Sequence, residues 1–283
     1  MASLLHPMRL HVIHRAAAGG GKRRPEFFSK RVALLSLLRT ARACRPPPAI
    51  TFLNDGEIDP QRLGLMEDAG DVVALSGIGN SPSYRRVLAL VDALEADPDD
   101  LVFLAEDDYV YVEDALSALL EAAQSVRAAD YFTLHDHPNY QRRGGGHRGP
   151  SHELAGRSWF SVDNATMSFA ARVGRLRADL WIHWLGAQQD FPHDEGIWGA
   201  IFARRGFRLA GAMARVDLVP WDRLVLQRAG GRLVRRSEPP VMVCPVPTLA
   251  THGEVTDVAA GVDWRAEVGA IEAWAREAGL AAG

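Results

Sequence analysis

Cysteine is nearly absent from this chain. Its two thiols, Cys44 and Cys244, lie far apart and outside any C-x-x-C spacing, which removes the usual signs of zinc or dithiol redox chemistry. A reducing cytoplasm is the expected compartment. Long apolar runs are missing too: every stretch falls far short of the roughly 18 residues of a membrane span, so no transmembrane segment is expected. Residues 1–18 are interrupted by His6, Arg9, His11, His14 and Arg15 and lack the unbroken apolar core of a signal peptide. Met8 offers a second start, with 1–7 as an extension. Lysine occurs only at Lys22 and Lys30, and the abundance of Arg and Ala beside it reads as genomic bias. No sign of charge dominates, because 32 basic against 35 acidic residues leave a formal net charge of -3. With no global field to draw a polyanion, nucleic acid is not expected as a partner. Internal repeats are absent.

What is present is the balance of a globular protein, with 47% apolar and 24% charged residues over 283 positions. That length fits one large α/β domain or two small ones. A short apolar run at 10–13, ending in His14-Arg15, reads as a strand, and 16–24 as a loop. From Pro25 onward Phe28, Val32, Leu35 and Leu38 recur at helical spacing, with proline in the first turn. Strands follow at 49–53, running into the turn signal Asn54-Asp55-Gly56, and at 71–75. Ser81 is the expected cap of a helix whose apolar face is Val87, Leu88, Leu90, Val91 and Leu94.

Residues 101–105 form a continuous apolar run, the pattern of a strand covered on both faces, and are the expected central strand. A helix over 113–126 and a strand over 131–134 complete an alternation that predicts an α/β fold with a largely parallel sheet flanked by helices. Ligands are then expected at the strand C-terminal ends. Beyond 140 the pattern loosens. The stretch 142–157, rich in Gly, Arg and His, reads as a mobile loop. A strand is expected at 166–171, helices at 176–185 and 195–204, and a terminal helix capped by Asp263 and carrying Trp264, Val268, Ile271 and Trp274.

Directly after the central strand stand Glu106, Asp107 and Asp108. Adjacent anions at a sheet edge raise one another's pKa unless a cation or hydrogen-bond donors neutralise them, and a divalent metal is one physical reason for such a row. Mg²⁺ and Mn²⁺ take hard oxygen ligands and bridge carboxylates to substrate phosphates. The plainer alternative is a solvated acidic turn.

The string Phe103-Leu104-Ala105-Glu106-Asp107-Asp108-Tyr109 resembles the DxD or EDD element of GT-A glycosyltransferases, in the form used by N-acetylglucosaminyltransferases of the type I class. The resemblance implies a GT-A-like, Rossmann-type fold, a nucleotide-sugar donor and Mn²⁺ or Mg²⁺ as cofactor. It implies Asp108 as a metal ligand, Asp107 toward the ribose and Glu106 in support. His14, Arg15 and Asp55 resemble the family's nucleotide-binding edge, and Asn80 to Ser83 its loop near base and ribose. His252, within Thr251-His252-Gly253-Glu254, is similar to the late histidine that completes the metal shell. Pro192-His193-Asp194-Glu195 is similar to the acidic pair before the acceptor-side helix of inverting members, which implies Asp194 or Glu195 as catalytic base. On this resemblance 8–140 is the donor-binding half, and 141–283 is the acceptor-side half with the C-terminal helix, in one continuous domain.

Two departures stand out: Glu106 replaces the Asp of a strict DxD, and His-Asp-Glu stands where Glu-Asp is commoner. A carboxylate at a helix start also serves the helix dipole, so Asp194 and Glu195 remain alternatives. The implied activity is sugar transfer with inversion to an acceptor hydroxyl, on a saccharide, a lipid-linked acceptor or a small molecule. Its rivals are a metal-dependent phosphohydrolase or nucleotidyltransferase, using Asp107, Asp108, His135 and His137, and a non-catalytic nucleotide-sugar-binding protein. His135 and His137 point the same way on an extended segment and form a second candidate metal pair. Trp159 and Trp198 are candidate sugar-stacking rings. Residues 16–23 and Gly77-Ile78-Gly79 fail the phosphate-loop and dinucleotide patterns, although a basic glycine loop beside a diphosphate remains open. One short arginine-glycine stretch at 142–148 is poor grounds for RNA binding and reads better as a lid or acceptor loop.

Overall fold

The computed structural model describes residues 8–18, 23–138, 140, 151–154, 156–188, 194–202 and 240–280. Expectations about 1–7, 19–22, 141–150, 192–193, 203–204 and the side chain of Glu195 lie outside the described residues.

Among the described residues nine strands form one sheet in the order β3-β2-β1-β4-β9-β6-β10-β8-β7. They are β1 (Leu10–Ala17), β2 (Ala49–Asp55), β3 (Asp71–Leu75), β4 (Leu101–Glu106), β6 (Tyr131–Phe132), β7 (Ser151–Leu154), β8 (Arg157–Val162), β9 (Phe169–Arg172) and β10 (Met242–Val246). The parallel pairs β1–β2, β1–β4, β2–β3 and β6–β10 and the antiparallel pairs around β9 and β8 leave only those two strands running against the rest. The fold is therefore mixed α/β with a mostly parallel sheet. A second, two-stranded sheet joins β5 (Tyr109–Tyr111) to β11 (Ala250–His252), with Tyr109 opposite His252.

β4 is central, between β1 and β9, and its run of apolar side chains is divided between two cores. Leu101, Phe103 and Ala105 enter one with α1 (Lys30–Ala43), α4 (Ala115–Ser125) and the terminal helix α7 (Trp264–Glu277). Val102 and Leu104 enter the other with α3 (Asn80–Ala93), α5 (Val173–Gly186) and α6 (Asp194–Ile201). Alternate side chains of a strand face opposite ways, so a strand covered on both faces must be apolar throughout.

Several boundaries differ from the sequence expectation for identifiable reasons. The first helix starts at Lys30, because Ser29 accepts a hydrogen bond from the Val32 amide, while 25–28 closes as a turn through Phe28 N–H to the Pro25 carbonyl at 3.0 Å. Ser81 is not a cap: α3 begins after Gly79, at φ +94°, and Ser81 is buried inside the helix. Helix α2 (Pro60–Glu67) was not expected; Asp59 caps it and proline opens it. The stretch expected as a loop over 142–157 corrects in its second part. Ser151–Leu154 and Arg157–Val162 form a hairpin, and Arg157 forks onto Asp114 at 2.7 and 3.1 Å.

Burial lowers the pKa of His14, His135 and His183, and the two outside the histidine-carboxylate cluster, His14 and His183, are expected to make the fold acid-sensitive. Burial is the main cause that holds His14 and His183 down to about 3, with the Arg62 and Lys30 charges adding to it at His14. His183 is hydrogen-bonded to the Tyr84 hydroxyl at 2.9 Å and stacked on Phe169. In the unfolded chain both titrate near 6.5, so protons bind the unfolded state first. The stability they contribute is complete above that value and is lost as pH falls toward about 3. The urea unfolding midpoint is expected to fall as pH drops below about 6.5; a flat profile there would show that they are not buried as neutral rings.

Candidate functional site

The chain runs from β1 outward to β2 and β3 and then returns to place β4 on the other side of β1. That reversal is a topological switch point, where the loops after two adjacent parallel strands diverge and leave a crevice at their carboxyl ends. Arg15 and Glu106 lie side by side there, in register on β1 and β4. Arg15 pairs with Glu106 and donates to the Asn80 side chain at 2.7 Å, the Asn80 carbonyl at 2.9 Å and Ser83 Oγ at 3.3 Å. Its guanidinium lies over the Tyr84 ring. One cation therefore ties the end of β1 to the acidic row and to the start of α3.

Each acid in the row has a basic partner. Lys30 Nζ reaches Asp107 Oδ2 at 2.8 Å and the Ala17 carbonyl at 2.6 Å. Asp108 Oδ2 faces His252 Nε2 at 3.0 Å and Arg24 Nη1 at 3.4 Å. The mutual repulsion that made a metal attractive from sequence is thus relieved by Arg15, Lys30 and Arg24, and neutralisation alone does not demand an ion. Arg24 and Lys30 escaped the sequence reading; the only signal was that Lys30 is one of two lysines in an arginine-rich chain.

Asp108 and His252 are far apart in sequence and meet through backbone. Tyr109 pairs with His252 across β5 and β11, and the Gly253 amide donates to the Asp108 carbonyl at 2.6 Å. On its other edge His252 Nδ1 lies 3.4 Å from Asp257 Oδ2 and 3.9 Å from Glu254 Oε2. His137 Nε2 approaches Asp257 Oδ1 at 3.7 Å, and His135 Nε2 contacts the Asp257 carbonyl at 2.9 Å. The two metal candidates read separately from sequence, Asp108 with His252 and His135 with His137, are one cluster. Asp257 joins them, and nothing in its sequence context marked it.

The donor set fits Mn²⁺ or Mg²⁺ in chemistry. Two arrangements are available: on the Nδ1 edge His252, Glu254 and Asp257 offer ligand atoms within 4.8 Å of one another, and on the Nε2 edge Asp108 stands beside the ring. An ion on the Nε2 edge would be held by Asp108 and His252, whose ligand atoms now share a hydrogen bond at 3.0 Å. A carboxylate on the far edge of an imidazole is the usual device for fixing a ligand histidine's tautomer, and Asp257 occupies that position. The mixture of imidazole and carboxylate suits Mn²⁺ better than Mg²⁺.

Other expected residues fall differently. His14 is a neutral ring packed edge-on against Phe52 and contributes no charge to the crevice. Both Asp55 oxygens are taken by the amides of Ile78 at 2.6 Å and Gly79 at 2.8 Å, so Asp55 braces the loop leading into Asn80. Trp159 and Trp198, at 1% and 0% exposure, are core residues and not sugar platforms. Asp194 opens α6. Burial pushes the Tyr140 hydroxyl well above its usual pKa, and the charges of Asp136, Asp163 and Asp194 add to that push. Tyr140 in turn contacts the His137 ring.

No family model matches the chain, and no curated protein matches it. Solved structures overlap it in part. A 4-diphosphocytidyl-2C-methyl-D-erythritol synthase is 16% identical, with a TM-score of 0.37 over 61% of this chain and 79% of that one. The synthase of the same name from Anaerococcus prevotii DSM 20548 is 12% identical, with a TM-score of 0.39 over 94% of this chain and 96% of that one. The S. aureus protein TarS is 12% identical, with a TM-score of 0.38, and the match spans 61% of this chain but 30% of TarS. Likenesses this distant carry nothing about activity. Among the described residues no helix is long and apolar enough to cross a membrane.

Gly253 holds the site's two edges together. A Cβ there would sit 2.3 Å from Phe28 Cδ2 and Cε2, and Arg24 stacks on the same Phe28 ring at 4.8 Å. Gly253→Ala is expected to destabilise the protein by about 1–3 kcal/mol through overpacking. An unchanged midpoint in urea unfolding would show that Phe28 yields freely.

Proposed function

We propose that the chain is a metal-dependent transferase that moves a sugar from a nucleotide-sugar donor to an acceptor hydroxyl. The observation that carries this reading is the concentration of acids and their basic partners at the switch point between β1 and β4, where Asp108 Oδ2 meets His252 Nε2 at 3.0 Å. As the glycosidic bond breaks, the leaving diphosphate gains negative charge; Mn²⁺ held by Asp108 and His252 would neutralise it. Arg15, fixed by Glu106, shapes the donor edge with Asn80 and Ser83. Asp107 faces the ribose in this reading, and Asp194, or Glu195 beside it, takes the acceptor proton. The donor then belongs to 8–140 and the acceptor to 141–283.

A second reading, nucleotidyl transfer, draws on one observation: Arg24 and Lys30 bring two cations to the acidic row from the β1–α1 segment, as a triphosphate would require. Thermal shift with nucleotide-sugars and with nucleoside triphosphates, each with and without Mn²⁺, separates the two, since a ligand that binds only the folded form raises the melting temperature. Stabilisation by nucleotide-sugars plus Mn²⁺ and release of nucleoside diphosphate support sugar transfer. Stabilisation by triphosphates alone, with release of pyrophosphate, would replace it by the second reading.

A further inference from the structure

Arg24 is bound to the oxygen a metal ion would need, and Lys30 to the acid beside it. Arg24 Nη1 lies 3.4 Å from Asp108 Oδ2, the oxygen that also meets His252, and Lys30 Nζ lies 2.8 Å from Asp107 Oδ2. A divalent ion on Asp108 would share a carboxylate oxygen with a guanidinium, and like charges at that distance repel strongly near a protein surface. The ion and Arg24 therefore compete for Asp108.

The placement of both side chains suggests how the competition ends. Arg24 is held by the Gly253 carbonyl at 2.8 Å and by the Phe28 face at 4.8 Å, contacts that need no partner at Asp108. Lys30 is held by the Ala17 carbonyl at 2.6 Å. Each has an anchor beside the crevice and a second bond to the acidic row. Phosphate oxygens are strong partners for both, and a planar guanidinium binds them in pairs.

We propose that Arg24 and Lys30 bind the phosphates of the donor, and that until phosphate arrives they hold the acidic row closed to metal. Phosphate draws the two cations off Asp108 and Asp107, and Asp108, freed of Arg24 and with less positive charge beside it, then takes the ion. Phosphate and metal thus strengthen one another's binding, which by linkage holds in both directions. This rests on the donor-site reading above, but needs only a phosphate ligand and a divalent ion, not sugar transfer.

The test uses the full chain and two probes measured separately: inorganic pyrophosphate with chelator present, by calorimetry, and Mn²⁺ alone, by electron paramagnetic resonance of the free ion. Arg24→Gln and Lys30→Gln are expected to lower pyrophosphate affinity about 10- to 100-fold, the worth of a charge-assisted hydrogen bond. The same variants are expected to raise Mn²⁺ affinity by about 10-fold, a usual size for coupling between sites. Effects of opposite sign are what a merely damaged site cannot produce, and thermal unfolding of each variant, with either one sufficient, guards against misfolding. Mn²⁺ affinity unchanged or lowered in both variants overturns the proposal and leaves the donor site standing. Mn²⁺ binding to neither wild type nor variants, with or without pyrophosphate, overturns the proposal and the metal-dependent function together.

Discussion

Asp108→Asn is expected to lower metal-dependent affinity for a nucleotide-sugar about 100-fold. The carboxylate supplies charge to the ion that bridges to the diphosphate, and losing a charged ligand is worth roughly 3 kcal/mol in such a site. Asn preserves the shape and one oxygen, so the contact with His252 Nε2, now 3.0 Å, can persist as a neutral hydrogen bond. The backbone tie from Gly253 to the residue 108 carbonyl does not involve the side chain. The loss should therefore fall on binding and not on folding. Calorimetry with Mn²⁺ and again with chelator checks it: equal affinity in wild type and variant, with metal present, removes Asp108 from the donor site.

The second large effect concerns Asp194. If it accepts the acceptor proton, Asp194→Asn should leave donor affinity intact while transfer falls by about 10²- to 10⁴-fold, the usual worth of a general base. Asparagine can still begin the helix Asp194–Ile201, so the substitution spares local structure. Glu195→Gln is the comparison. Transfer lost in Glu195→Gln and kept in Asp194→Asn exchanges the two roles. Wild-type transfer in both variants makes the pair a helix start only.

The core of the fold was legible because its signals are local. The unbroken apolar run of β4 and the helical spacing of Val87, Leu88 and Val91 state which faces are covered, and Asp263 caps its helix through the amides of Arg265 and Ala266 as its position suggests. The two strands of the small second sheet were not legible. β5 and β11 hold three residues each, too few for a period to show, and their pairing depends on contacts remote in sequence. The candidate site divides in the same way. Glu106, Asp107 and Asp108 announce themselves by adjacency, whereas Arg24, Lys30 and Asp257 matter only through where the chain brings them. Asp55 ends β2 as expected, whereas β1 runs on to Ala17 and leaves His14 within the strand, and strand position does not say whether a side chain meets a ligand, a loop amide or a neighbouring ring.

The tie between β5 and β11 also bears on how the protein reaches its active form. Asp108 and His252 are separated by 144 positions, while the neighbouring strands β1, β2, β3 and β4 are joined within the first part of the chain. Contacts of long sequence separation are slow to form, because the entropy of closing the intervening loop comes before any gain. A folding intermediate with those parallel strands already paired would display the acidic row without its histidine. During refolding with pyrophosphate present, Mn²⁺ uptake should lag behind the recovery of secondary structure, so the ion would report a long-range closure made after the parallel strands have paired.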